Sequence, residues 1–264
     1  AQSILANKFF VVVLAMEARE GISGHQKAER LISRHSKQFK HMFATYHPAG
    51  IPCEVAGKSS NSQWAFREVQ RWYGGYVSRQ ENAENWDLSK SFLTVADADS
   101  LMNKDYFTNV SLQGLAVSQS ERSWTIYQAP VLLLRNYEQV PGLVRTSAYG
   151  TFLHEMAGLA TSSWQPHPAF SAYTMSLQLA NHPMVDGWDA DVIAEDHHMF
   201  IKCMFASFWE EIFANREIKR ASKLQIKPVW NPVTSYLAED SAGSLASIYA
   251  RFQQARRHAQ GIAE

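Results

Sequence analysis

The chain has 264 residues, enough for one large α/β domain or two small ones with a substantial core. Its 25 Lys and Arg balance 25 Asp and Glu, so net charge gives no argument for nucleic acid as a partner. Aromatic residues make up 12 %, including eight Trp, which suits a groove that stacks a sugar or a base as well as an ordinary core.

The first apolar run, Phe9 to Ala15, reads as a buried strand from its three consecutive valines. Extended to Met16 it is far too short to span a bilayer, and it is not expected to follow a signal peptide. The first residue is Ala rather than Met, so the expectation is a domain taken from a longer protein. Gln26 to Phe43 reads as a helix, with Ala28, Leu31, Ile32, His35, Phe39 and Met42 on one face. A polar loop from His47 to Ser62 carries Gly57-Lys58-Ser-Ser-Asn61, and a helix is expected through Trp64 to Trp72. That loop lacks the second Gly of a phosphate-binding P-loop.

Ser91 to Ala96 is the second clear strand, and it stops on Asp97-Ala98-Asp99. Two carboxylates at the C-terminal mouth of a strand lie where an open α/β sheet places its ligand. Hard oxygen ligands at that spacing suit Mg²⁺ or Mn²⁺, which can in turn hold a diphosphate. Ser123 to Leu134 is strand-like, Ser147 to Ala160 helical, Thr161 to Pro168 a breaker, and Phe170 to Ser176 a further strand. Alternation of strand and helix, with no repeat or long linker, points to one α/β domain. Cys53 and Cys203 make no disulfide framework and fit reduced, cytosolic thiols.

Beyond Asp186-Gly187-Trp188, a helix is expected to begin near Glu195, because Met199, Phe200, Cys203 and Met204 recur at helical spacing. Asp196 in its first turn would be kept ionised by the helix end and able to act as a base. A carboxylate there also serves simply to complement the dipole. A metal cluster of Asp196, His197 and His198 is disfavoured, since adjacent helical side chains diverge by about 100°. The last helix has an expected apolar side of Leu245, Ile248, Tyr249 and Phe252. Gln254, Arg257 and His258 project together from it, as a phosphate clamp or as a solvated basic face.

Taken in order, these features resemble the inverting glycosyltransferases of family 2, which include the cellulose, chitin and hyaluronan synthases. The sequence of motifs is a strand ending in an acidic segment (Val11 to Glu20), Gly-Lys-x-x-Asn, Asp-x-Asp, Glu-Asp at a helix start, and Gln-x-x-Arg. The resemblance runs from about Phe9 to His258. It implies a single GT-A domain over residues 1–264 with a mixed, mostly parallel central sheet. Its nucleotide-binding half would cover about 1–120 and its acceptor and catalytic half about 121–264.

The resemblance also implies roles. Glu17 and Lys58 would meet the nucleotide of a donor such as a UDP-sugar. Asp97 would contact the nucleotide and, with Asp99, an Mn²⁺ or Mg²⁺ ion. Asp196, with Glu195 beside it, would be catalytic. Gln254 and Arg257 would hold the diphosphate, and Gly187, Trp188 and His258 would shape the acceptor side. Partners would be a nucleotide-sugar and a glycan, lipid or other hydroxyl acceptor, with no nucleic acid, at the cytosolic face of a membrane reached through segments absent from this chain. The chain departs from the family where His258 replaces the aromatic of Gln-x-x-Arg-Trp and Ala194 precedes Glu-Asp in place of Thr. The Asp196–Gln254 spacing is long, and Phe170 to Ser176 stands where a Gly-rich turn is usual.

Two other classes fit parts of the chain. Leu93 to Leu101 matches the nucleophile strand of haloacid-dehalogenase-type phosphatases, although nearly a hundred residues, including a strand and a helix, precede it. A catalytically idle GT-A domain that binds nucleotide or acts as a scaffold is the second, against which the three carboxylates Asp97, Asp99 and Asp196 argue.

Overall fold

The computed structural model describes residues 6–79, 87–162, 167–215 and 223–263. Its contacts divide the chain into two compact units, Ala1–Asp87 with Gly187–Glu195, and Leu88–Asp186 with Asp196–Glu264. The halves expected to meet near residue 120 do not coincide with this division.

The first unit opens with a short helix α1 (Ala6–Phe9), then β1 (Val11–Glu17), α2 (Gly21–His35), β2 (His41–His47) and α3 (Lys58–Val77). β1 and β2 pair in parallel, residue against residue from Val11↔His41 to Glu17↔His47. The expected strand is present but starts at Val11, and it is only partly buried. The helix expected to run to Phe43 stops at His35, and a 3₁₀ turn at Ser36–Gln38 turns the chain into β2. Met42, assigned to a helical face, is a buried strand residue. The 3.6 pattern carried on by coincidence, because Phe39 and Met42 fall at helical spacing while the His41–His47 ladder depends on a partner strand that local periodicity cannot see. The loop after β2 is shorter than expected, since α3 already begins at Lys58.

The second unit contains β3 (Phe92–Val95), β4 (Leu101–Met102), α4 (Tyr106–Leu115), α5 (Gln119–Ser123), β5 (Thr125–Gln128), β6 (Val131–Leu133), α6 (Gly142–Thr161), β7 (Tyr173–Ser176) and α7 (Leu177–Ala180). These are followed by α8 (Glu195–Asn215, all but its first residue), β8 (Gln225–Pro228), β9 (Val233–Ser235) and α9 (Ser244–Ala263). The strand-like run Ser123–Leu134 is two strands broken at Ala129-Pro130, whose proline cannot donate to a ladder. Residues 163–166 of the expected breaker lie outside the described residues.

Sheet order is β3-β7-β5-β8 in one sheet and β4-β9-β6 in another. β7 runs antiparallel to both β3 and β5, while β5·β8 and β6·β9 are parallel. The chain is therefore α/β with mixed sheets, and the parallel excess expected from the resemblance is absent among the described strands. The physical reason is that β7 enters between β3 and β5 from the opposite direction, giving the central sheet two antiparallel seams. Tyr106, Val110, Tyr127, Ala129, Ala172, Val229 and Val233 form the buried cluster beneath it.

On α9 the expected apolar side holds for Ile248 and fails for the other three residues. Leu245, Tyr249 and Phe252 are exposed, whereas Ser247 and Arg251 are buried and Ile248 packs on Val140, Val144, Ala148 and Leu237. Arg251 satisfies its guanidinium on Ser147, Thr151 and Gln254, which is what lets a charged side chain face inward.

Candidate functional site

In the second unit, Asp97 follows the end of β3 and Asp99 lies in the same turn, closed by Ser100 N–H donating to the Asp97 carbonyl at 2.9 Å. The Ser235 hydroxyl donates to Asp99 Oδ2 at 2.7 Å, and Arg135 holds the Asp99 carbonyl at 2.6 Å with its guanidinium over the Tyr236 ring. Asp97 Oδ2 accepts from the Ser171 hydroxyl at 2.8 Å, and the backbone N–H of the same serine donates to Asp196 Oδ2 at 2.7 Å. The His197 amide donates to Asp196 Oδ1 at 2.8 Å. Asp97 and Asp196, distant in the sequence, thus belong to one hydrogen-bonded cluster.

Ser171 has φ +52°, the left-handed region that a side chain normally avoids. Gln128, fully buried on β5, supports that turn from below. Its amide NH₂ faces the carbonyls of Ala129, Phe170 and Ala172 at 2.9–3.1 Å, and its Oε1 accepts from Phe170 N–H at 3.0 Å. A strained residue persists where its surroundings over-determine it, and here they do so beside two carboxylates.

Charged neighbours surround Asp196. Burial, with the Asp196 carboxylate adding to it, pushes the Glu155 carboxyl on α6 up to about 8, while Arg251 opposes the shift. Partial desolvation, the largest effect, lowers the pKa of His258, with Asp196 acting against it. Desolvation likewise lowers His167, whose Nδ1 faces the Pro168 carbonyl and whose ring packs against Gly158, where no Cβ would fit. Gln254 is engaged by Arg251 at 2.8 Å, and Arg257 is exposed.

In the first unit, Glu17 and His47 close the parallel β1–β2 pair side by side. His47 Nδ1 is 3.4 Å from Glu17 Oε2, and its Nε2 is 2.8 Å from Glu54 Oε2. The buried ring meets Trp64 edge-on. Glu17, His47 and Glu54 line a cleft of about 150 Å³ with Arg19, Pro48, Gly50 and Ile51.

Lys58, expected at the nucleotide, forms a 2.6 Å ion pair with Glu195, whose side chain is 3 % exposed. Trp188 is buried edge-to-face on Phe66, and its indole N–H donates to Glu195 Oε2 at 3.2 Å. Gly187, at φ +73°, lets the chain pass so close to Gln63 and Phe66 that a Cβ would stand 2.4–2.5 Å from them. Gly187 and Trp188 thus pack against Phe66, and the Trp188 indole N–H holds Glu195.

Among the described residues, no group of three or more His, Cys, Asp or Glu side chains is arranged to hold a metal ion. Both cysteines are free thiols, Cys53 exposed and Cys203 buried. Ser171, Gln128, His47, Glu54, Glu155 and Arg251 were not singled out by sequence. The one usable signal was the in-register end of two parallel strands, which sets His47 beside Glu17 once β2 is recognised. The chain matches no protein-family model and no curated protein.

Proposed function

We propose that this chain is an inverting, GT-A-type glycosyltransferase that moves a sugar from a nucleoside-diphosphate sugar, a UDP-sugar first, to an acceptor hydroxyl. The observation that carries this reading is the Asp97–Ser171–Asp196 cluster, with Asp99 in the same turn. It sets a base candidate and a pair of hard oxygen ligands in one connected arrangement.

Asp97 and Asp99 fit Mg²⁺ or Mn²⁺. Their carboxylates follow the end of β3, and such ions commonly take one or two protein carboxylates and complete their shell with water and phosphate. When bound, the ion supplies neutralisation of the charge that develops on the leaving diphosphate. In the reaction, the acceptor oxygen bonds to the anomeric carbon as the bond from that carbon to the diphosphate oxygen breaks, and the hydroxyl proton passes to Asp196. Ser171 N–H holds Asp196 Oδ2 in place, and Glu155, held protonated by burial, limits the negative charge around it. Glu17, Arg257 and His258 stand on the donor and acceptor sides in this reading by resemblance.

The acceptor is a glycan, a lipid or another hydroxyl compound. Membrane association is part of the proposal, through segments other than the described helices, none of which is long and apolar enough to cross a bilayer.

Calorimetric titration with UDP, GDP and ADP, each with and without Mn²⁺, tests the reading beside Asp97→Ala/Asp99→Ala and Asp196→Asn variants. The expected result is one diphosphate whose binding needs both the ion and the carboxylates, and which Asp196→Asn leaves intact. Asp196→Asn should then lower sugar transfer by about 10²–10⁴-fold, the usual worth of a general base. Binding without turnover in the unaltered protein would favour the idle scaffold, and binding of none by a folded protein would overturn both.

A further inference from the structure

Arg135 stands at the Asp97–Asp99 turn on a backbone that is fixed from both sides. β6 ends at Leu133, in register with Ser235 on β9, and the amides of Leu134 and Arg135 both donate to the Ser235 carbonyl at 3.1 Å. The next residue, Asn136, is buried and exchanges two hydrogen bonds with Leu237. Its Nδ2 donates to the Leu237 carbonyl at 3.1 Å, and its Oδ1 accepts from the Leu237 amide at 2.7 Å.

The side chain is held as firmly. Nη1 donates to the Asp99 carbonyl at 2.6 Å, and the guanidinium lies over the Tyr236 ring, 4.3 Å from its centre. The Asp99 carboxylate is taken by other groups, its Oδ2 accepting from the Ser235 hydroxyl at 2.7 Å and the Tyr236 amide at 3.4 Å. A guanidinium placed to neutralise Asp99 would pair with that carboxylate. Arg135 braces the backbone of the turn instead. Among the described residues it makes no ion pair, and it keeps its charge and its remaining N–H groups at an exposed position.

Arginine presents a planar fork that matches phosphate, and stacking on an aromatic face leaves the edge of that plane for a ligand. A bare anion would not settle there, because Asp97 and Asp99 repel it. With a divalent ion on those carboxylates the sign reverses, and a diphosphate held by the ion is brought to the turn that carries the guanidinium. Being fixed beforehand, the fork needs no reorganisation when that ligand arrives.

We infer that Arg135 is a donor-binding residue, whose guanidinium donates to the diphosphate of the nucleotide-sugar and offsets its negative charge. The resemblance assigns that task to Arg257 on α9, so Arg135 emerges from the fold around Asp99 and from no motif. The inference rests on the transferase reading for the identity of the ligand, and on the geometry of the turn for an anion being held there.

The test is calorimetric titration of the whole chain with Mn²⁺ alone, then with pyrophosphate, UDP, GDP and ADP in the presence of Mn²⁺. Wild type, Arg135→Gln and Arg135→Lys are compared. Arg135→Gln is expected to weaken pyrophosphate, and the nucleoside diphosphate that wild type binds, by about 10–100-fold, the worth of a hydrogen bond to a charged group. Arg135→Lys should fall between, because it keeps the charge and loses the fork. Mn²⁺ alone should behave identically with all three proteins, which a distorted Asp99 turn would not permit. Equal diphosphate affinity in wild type and Arg135→Gln would overturn the inference. So would a loss of Mn²⁺ binding that matches the loss of diphosphate, since Arg135 would then act only by shaping the turn. Wild type that binds pyrophosphate through Arg135 but no nucleoside diphosphate would sink the transferase reading and leave Arg135 as an anion clamp. Wild type that is folded and binds neither would overturn both.

Discussion

Asp97 and Asp196 accept hydrogen bonds from one residue, Ser171, through its hydroxyl and its backbone amide respectively. The two bonds differ in what mutation can remove. A side-chain change deletes the link to Asp97 and leaves the link to Asp196 in place, so the two carboxylates can be uncoupled without touching either.

Ser171→Ala should lose the hydroxyl bond yet keep the φ +52° strain, and lower stability by about 1 kcal/mol. Ser171→Gly loses the same bond but relieves the left-handed backbone, recovering about 1 kcal/mol. Thermal unfolding should therefore rank the alanine variant below glycine. The reverse order would mean that the backbone at 171 is not strained in solution.

Glu155 should give stability a pH dependence of definite sign. Its carboxyl is raised from the ordinary 4.5 to about 8, chiefly by burial and secondarily by Asp196. The folded state therefore holds a proton that the unfolded state releases. Its contribution is complete below about 4.5, declines as pH rises toward about 8, and changes no further above that. Glu155→Gln, which keeps a neutral group of the same shape, should flatten that part of the curve, with wild type and variant diverging steadily in melting temperature from pH 5 to 8. Parallel curves would show that Glu155 titrates as an ordinary carboxyl.

The Lys58–Glu195 pair should matter to folding of the first unit. Glu195 is 3 % exposed, so removing its cation leaves a carboxylate far from water, although the Trp188 indole still donates to it. Lys58→Met is expected to cost about 2–3 kcal/mol, less than a fully buried pair because Lys58 keeps 31 % exposure. The double variant Lys58→Met/Glu195→Leu should regain part of that loss, as replacing both charges often does. Denaturant midpoints of the three proteins check this. A Lys58→Met protein as stable as wild type would show that the pair contributes nothing.

Much of the scaffold was legible because local periodicity and turn chemistry carry it. The strand before Asp97, the helix beginning at Glu195 and the free cysteines all follow from residue type and spacing. β2 was lost in a helical pattern because its identity rests on pairing with β1, a non-local fact. The face of α9 was read correctly only at Ile248, for a related reason. Leu245, Tyr249 and Phe252 look like a core stripe, but the cluster beneath the helix accepts Arg251 because Ser147 and Thr151 wait there to bind it.

The sequence by itself determined an α/β chain with its acidic groups at the end of a strand and the start of a helix, since backbone preference and side-chain chemistry are local properties. Only the tertiary structure decided which groups meet. It tied Lys58 to Glu195, set His47 between Glu17 and Glu54, and joined Asp97 to Asp196 through Ser171. Those pairings depend on strand register and on a buried Gln128 that fixes one strained turn, and register is a property of two segments together, which neither segment's sequence contains.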